Sequence, residues 1–128
     1  MSNLAEIMPF SKLMGIEVTD AQADKVEGRL TVRADLCTTG GIMHGGAIMA
    51  FADSLGAIGA FLSLPEGAAG TTTIESKTNL LSAAPENSVV LGVTTPVKLG
   101  KKLSVWQTRV ETEDDKLIAL VTQTQLVL

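Results

Sequence analysis

The spacing of apolar residues changes along this chain, and each change marks an element. Residues 3–14 carry helix-compatible apolar spacing interrupted at Pro9, which predicts one or two short helical turns closed by Gly15. Residues 16–19 and 25–32 read as strands, with Val26, Leu30 and Val32 on one side of the second. Residues 35–43 form a loop in which Gly40-Gly41 permits unusual dihedral angles. A helix is predicted over about 43–62, where Ile48, Phe51, Leu55, Ile58 and Leu62 recur at three- and four-residue spacing. Pro65-Glu66-Gly67 stops it.

Beyond that stop the pattern is extended. Strands are expected near 71–81, 88–98, 102–112 and 116–127, joined by turns at 84–87, 99–101 and 113–116 and running as an antiparallel meander. A single apolar helix followed by four strands is best buried if the sheet curls around it. Gly56, Ala57, Gly59 and Ala60 give that helix a small-residue surface that strands can approach closely. The expectation is an α+β fold over residues 1–128, one domain, with an antiparallel sheet wrapped around one long central helix.

Composition narrows the function. Of 128 residues, 45% are hydrophobic and 19% charged, which excludes a disordered chain. Ten Lys and Arg against 14 Asp and Glu give a net charge of −4. That charge and the 3% aromatic content suit neither nucleic acid nor an anionic membrane surface. Cys37 is the one cysteine, so neither an internal disulfide nor a cysteine metal cluster is possible. The first fifteen residues lack a basic segment followed by an apolar run, and the chain reads as cytoplasmic. So much apolar content in a short chain points to a subunit interface.

Three positions invite chemistry. Asp53 is the one formal charge between His44 and Glu66, in the middle of the apolar helix. An unpaired buried carboxylate is expensive, so Asp53 either reaches solvent or a neighbouring loop, or serves as a general base or nucleophile. His44 is the one histidine and stands just before the helix, where a capping role is the commoner one; no ligand partner at metal-binding spacing accompanies it. Gly45-Gly46 follows at the helix start, where free N–H groups and the positive end of the helix dipole meet. That is the geometry of an oxyanion hole, and equally of an ordinary glycine-rich helix start. His44 and Asp53 are nine residues apart. On one helix that is roughly 13 Å and about half a turn, so both can serve one carbonyl only if two subunits build the site.

The segment HGGAIMAFADSLGA, with GGIM before it and TTTIESKTNLLSAA after it, resembles the PaaI-like hotdog-fold acyl-CoA thioesterases, including the 4-hydroxybenzoyl-CoA thioesterases with an acidic residue on the central helix. The likeness runs from PFSKLMGIEV through the last strand. Its specific part is His-Gly-Gly with an acidic residue nine positions after the His.

The resemblance implies a hotdog fold and roles for matching positions. Asp53 stands at the catalytic carboxylate, Gly45 at the N–H that polarises the thioester carbonyl, and His44 at the residue fixing that loop. Thr73 stands where relatives place a Ser or Thr near the attacking water. Thr38 departs from the pattern: relatives often carry Asn or Gln there, and a hydroxyl is shorter with one donor rather than two.

The activity implied is hydrolysis of an acyl-CoA thioester to acid and free coenzyme A, with no cofactor and no metal. The assembly implied is a homo-oligomer, at least a dimer and in the family a dimer of dimers. Lys98, Lys101 and Lys102 cluster at the Gly100 turn, where relatives place basic residues near the nucleotide end of coenzyme A. They also suit a plain solvated hairpin. Glu75, Lys77 and Asn79 share one strand face, at an interface or in solvent. Two other readings stand beside this one. A non-catalytic acyl-CoA-binding protein is compatible with Thr38 but leaves Asp53 unexplained. An acyl-thioester dehydratase or hydratase pairs His and acid at a different spacing.

Overall fold

The computed structural model describes residues 3–128. Asn3 ties the start of the chain down: its Oδ1 accepts from the N–H groups of Ala5 (3.2 Å) and Val18 (2.9 Å), and its Nδ2 donates to the Ile16 carbonyl at 2.7 Å. A 3₁₀ turn, Leu4–Ile7, leads into helix α1, Pro9–Met14. Pro9 opens α1, where a missing N–H costs nothing, and Gly15 closes it at φ 83°, a left-handed conformation natural to glycine.

Two strands follow, β1 (Glu17–Gln22) and β2 (Lys25–Thr31). The loop predicted at 35–43 contains a small hairpin, β3 (Cys37–Thr38) with β4 (Ile42–Met43), and Gly40 and Gly41 turn it at φ 88° and 70°. Helix α2 spans Gly45–Leu62. Then come β5 (Thr71–Leu80), β6 (Val89–Leu99), β7 (Leu103–Thr112) and β8 (Leu117–Val127).

The sheet order is β1-β2-β6-β7-β8-β5, and every pairing is antiparallel. This corrects the expected four-strand meander. Only β6, β7 and β8 follow one another; β5 crosses to pair with β8, and β2 takes the place beside β6. Turn chemistry in the sequence marks where strands end but not which edge a strand joins. The crossing leaves β5 on the rim, with Ile74 55% exposed and Leu80 55% exposed.

Helix and sheet interlock by exchanging large for small. Phe51 and Leu55 of α2 are fully buried, and both point at Gly92, which sits opposite Gly28 in the β2–β6 register. A Cβ at Gly92 would lie 2.6 Å from a Leu55 methyl, and one at Gly28 2.7 Å from the other. The trade reverses further along: Gly59 of α2 makes room for Trp106 of β7, whose indole N–H donates to Ser104 at 2.8 Å. Fully burying each of these large side chains contributes about 1.5–3 kcal/mol. The apolar stripe ends sooner than predicted: Ile48, Phe51, Leu55 and Ile58 are buried, but Leu62 is 39% exposed. α2 is long and apolar enough to cross a membrane by length and composition, yet here it is the helix the sheet encloses.

Candidate active site

The start of α2 is set by its neighbours. His44 is extended (φ −62°, ψ 135°) and its backbone N–H donates to the Leu36 carbonyl at 2.8 Å. Its ring Nδ1 accepts the Gly46 N–H at 2.8 Å, so the imidazole caps the helix and carries its proton on Nε2. The N–H groups of Ala47 and Ile48 both reach the His44 carbonyl. The N–H of Gly45 has no acceptor among the described residues. The first turn therefore offers one free donor, at the position expected to polarise a carbonyl. A Cβ at residue 45 would sit 2.9 Å from a Leu80 methyl, so glycine keeps that donor approachable.

Thr38 and Gly45 line one cavity of about 340 Å³, together with Met43, Ile48, Leu80 and Ser82. The side chain of His44 faces elsewhere, into a cavity of about 420 Å³ walled by Phe10, Leu13, Met14 and Cys37. Arg33 closes one side of it, tied to the Met14 carbonyl and to Asp35. Within one chain, then, His44 and Gly45 adjoin different spaces. Cys37 is a free, half-buried thiol, pushed above its ordinary value first by desolvation and then by the charges of Glu86 and Asp35. That suits an inert thiol rather than a nucleophile.

Asp53 lies on α2 more than two turns on, roughly 12 Å along the axis from Gly45. It is half-buried rather than sunk in the core. The Thr73 hydroxyl donates to its Oδ1 at 2.8 Å, and Gln123 Nε2 donates to the same oxygen at 3.2 Å. Asp53 and Thr73 are thus brought together, with α2 meeting the rim strand β5. Gln125 Nε2 donates to Thr73 Oγ1 at 2.6 Å. Neither glutamine was singled out in the sequence. The signal was there: in LVTQTQLV two amides occupy alternate positions of an apolar strand, and alternate positions share a face.

Lys98, Lys101 and Lys102 flank the β6–β7 turn and are exposed, with no ion pair to a described residue. Among the described residues no group of three or more His, Cys, Asp or Glu could hold a metal ion.

Residues 40–119 match the family model described as thioesterase superfamily. The chain belongs to that family. Its relatives include the 1,4-dihydroxy-2-naphthoyl-CoA hydrolase of Escherichia coli, 31% identical over 94 residues, covering 73% of this chain and 68% of the relative. A crystal structure of a thioesterase from Haemophilus influenzae superposes with a TM-score of 0.87 at 28% identity, covering 98% of this chain and 87% of the other. The Escherichia coli PaaI protein from the phenylacetic acid degradation operon shares the fold, with a TM-score of 0.87 at 16% identity over 96% of this chain and 86% of that one. The fold is the hotdog fold, with α2 as the enclosed helix.

Proposed function

We propose that this thioesterase hydrolyses acyl-CoA thioesters at a site shared by two subunits. The single observation that carries the reading is the placement of its two halves at opposite ends of β5. Asp53 is held by Thr73 near one end, and Gly45, which carries the free N–H, lies beside Leu80 at the other. Thr73 and Leu80 are roughly 23 Å apart along a strand. Gly45 and Asp53 are themselves roughly 12 Å apart along α2, too far to meet around one carbonyl within one chain. Two rim strands paired antiparallel about a two-fold axis lay each end of β5 beside the opposite end of its copy. A pairing centred on Ser76 also sets Glu75 of one copy against Lys77 of the other, and both are exposed at the rim. The family resemblance extends this dimer to a dimer of dimers, in the cytoplasm.

The chemistry follows from the parts. The Gly45 N–H of one subunit donates to the thioester carbonyl oxygen and stabilises the oxyanion as it forms; loss of such a donor typically costs about 10²–10³ in rate. Asp53 of the other subunit takes a proton from water as the water oxygen attacks the carbonyl carbon, or attacks that carbon itself to give a mixed anhydride that water then hydrolyses to the acid and the free carboxylate. The carbon–sulfur bond breaks, and the coenzyme A thiolate leaves and is protonated. Thr38 lies by Gly45, where its hydroxyl can meet the water or the thioester. The three lysines at the β6–β7 turn offer charge to the phosphates of coenzyme A.

An apolar cavity of about 300 Å³ begins one helical turn from Asp53, walled by Leu4, Ile7, Met8, Ala57, Ile58 and Phe61. It supports an apolar, uncharged acyl group. The test is thiol release from a panel of acetyl-, hexanoyl-, benzoyl- and phenylacetyl-CoA. Hydrolysis of at least one apolar thioester, lowered about 10²–10⁴-fold in Asp53→Asn, is expected. Binding of the whole panel without thiol release would instead favour a carrier of acyl-CoA.

A further inference from the structure

We infer that Gln123 and Gln125 of β8 are positioning residues that decide which oxygen of Asp53 does the chemistry; this rests on the reading of Asp53 as the reactive carboxylate. The hydrogen bonds run in one direction. The Thr71 hydroxyl lies 3.0 Å from Gln125 Oε1, which can only accept. Gln125 Nε2 can only donate, and it gives a hydrogen to Thr73 Oγ1 at 2.6 Å. With that lone pair occupied, the single Thr73 proton goes to Asp53 Oδ1 at 2.8 Å. Gln123 Nε2 donates to the same Oδ1 at 3.2 Å. Two donors thus converge on Oδ1, and Oδ2 receives none from the described residues. A proton on Oδ1 would face both donors. The network therefore occupies Oδ1 and leaves Oδ2 as the oxygen free to meet water or substrate.

The expense of the arrangement argues that it has a purpose. Gln123 is 1% exposed and Gln125 is 0% exposed, on the inward face of a strand whose neighbours there are Ala119 and Val121. Gln123 Oε1 has no hydrogen-bond partner, a cost that an apolar side chain would avoid. Turning the amide over offers no relief, because Oε1 would then face the Asp53 carboxylate. Space for the amide is made by α2 itself. A Cβ at Gly56 would lie 2.1 Å from Gln123 Oε1 and 2.3 Å from Cδ, so the amide lies flat against bare helix backbone. Gly56 is thus part of the same device. Polar atoms were kept in a core position, and a glycine in a helix, to place one donor on one oxygen.

The experiment compares Gln123→Met, Gln125→Met and Gly56→Ala with Asp53→Asn, each assayed on hexanoyl- and benzoyl-CoA. Methionine keeps the length and removes every donor, and Gly56→Ala keeps both amides but displaces one. Each of the three should hold its melting temperature within a few degrees or raise it. Each should lower kcat about tenfold to a hundredfold with KM little changed. Gln125→Met reads the relay through Thr73, and Gly56→Ala covers the case in which a glutamine variant fails to fold. Wild-type kcat in folded variants, or a loss that falls on KM alone, with Asp53→Asn inactive, would overturn the positioning role while leaving the carboxylate in place. Full activity in Asp53→Asn would overturn the underlying reading and the positioning role with it.

Discussion

His44 accepts the Gly46 N–H on its ring Nδ1 at 2.8 Å, and this one bond shapes the start of α2. It satisfies the second donor of the helix and leaves the first, on Gly45, without an acceptor among the described residues. The cap is the commoner role for a histidine before a helix. Here it also keeps the open donor's turn in place.

That double duty separates stability from turnover. His44→Ala loses the cap and should lower stability by about 1 kcal/mol, read as a drop of a few degrees in the melting temperature. His44→Asn supplies a side-chain acceptor at the same position and should recover most of that loss. If the ring serves only as a cap, kcat of the asparagine variant stays near that of the wild type. A folded asparagine variant with kcat reduced tenfold or more would mean that Nε2–H meets the substrate.

The lysines at the β6–β7 turn make a different kind of claim. They are exposed, and each exposed charge is worth about 1 kcal/mol or less. Changing Lys98, Lys101 and Lys102 together to Ala should raise KM for hexanoyl-CoA about tenfold and leave kcat alone. The matching N-acetylcysteamine thioester lacks the nucleotide and should show no change in KM. Equal losses on both substrates would place the lysines away from the phosphates.

Cys37 titrates above its ordinary value, held up first by desolvation and then by the charges of Glu86 and Asp35. Since the folded thiol ionises at higher pH than the unfolded one, its contribution to stability is full below the unfolded value and is lost as the pH rises through the folded one. At pH 8 Cys37 should react with iodoacetamide more slowly than free cysteine. Glu86→Gln removes one of the two opposing charges and should speed the reaction. Alkylation as fast as that of free cysteine would contradict the shielded environment.

What could be read in the sequence was whatever acts locally. The apolar period marked α2 to within two residues at its start, and Pro9, Gly15 and Pro65 marked where helices begin or stop. Asp53 was recognisable because it is the one charge in an apolar helix, Gly45 because it stands at that helix's start, and Thr73 only through the family resemblance. Long-range pairing was not legible: nothing in residues 71–80 says that β5 joins β8 rather than β6. The partners of Asp53 were hidden for the same reason. Gln123 lies 70 residues away in the chain, and only the β5–β8 register brings it under α2. Gly56 read as one small residue among several, until the amide resting on it gave it a specific neighbour.

The central claim is that two copies complete each site, and hybrid assemblies test it most directly. Asp53→Ala removes the carboxylate. Gly45→Pro removes the donor N–H at the first helical position, where proline is tolerated and where His44 already has the extended backbone that proline requires of its predecessor. Each variant alone should be inactive. The two are unfolded, mixed in equal amounts and refolded, and mass spectrometry confirms that hybrids form. In a hybrid dimer, one site unites the intact Gly45 of one chain with the intact Asp53 of the other. Random pairing should then restore about a quarter of wild-type activity. Hybrids that form and hydrolyse no thioester would contradict the shared site.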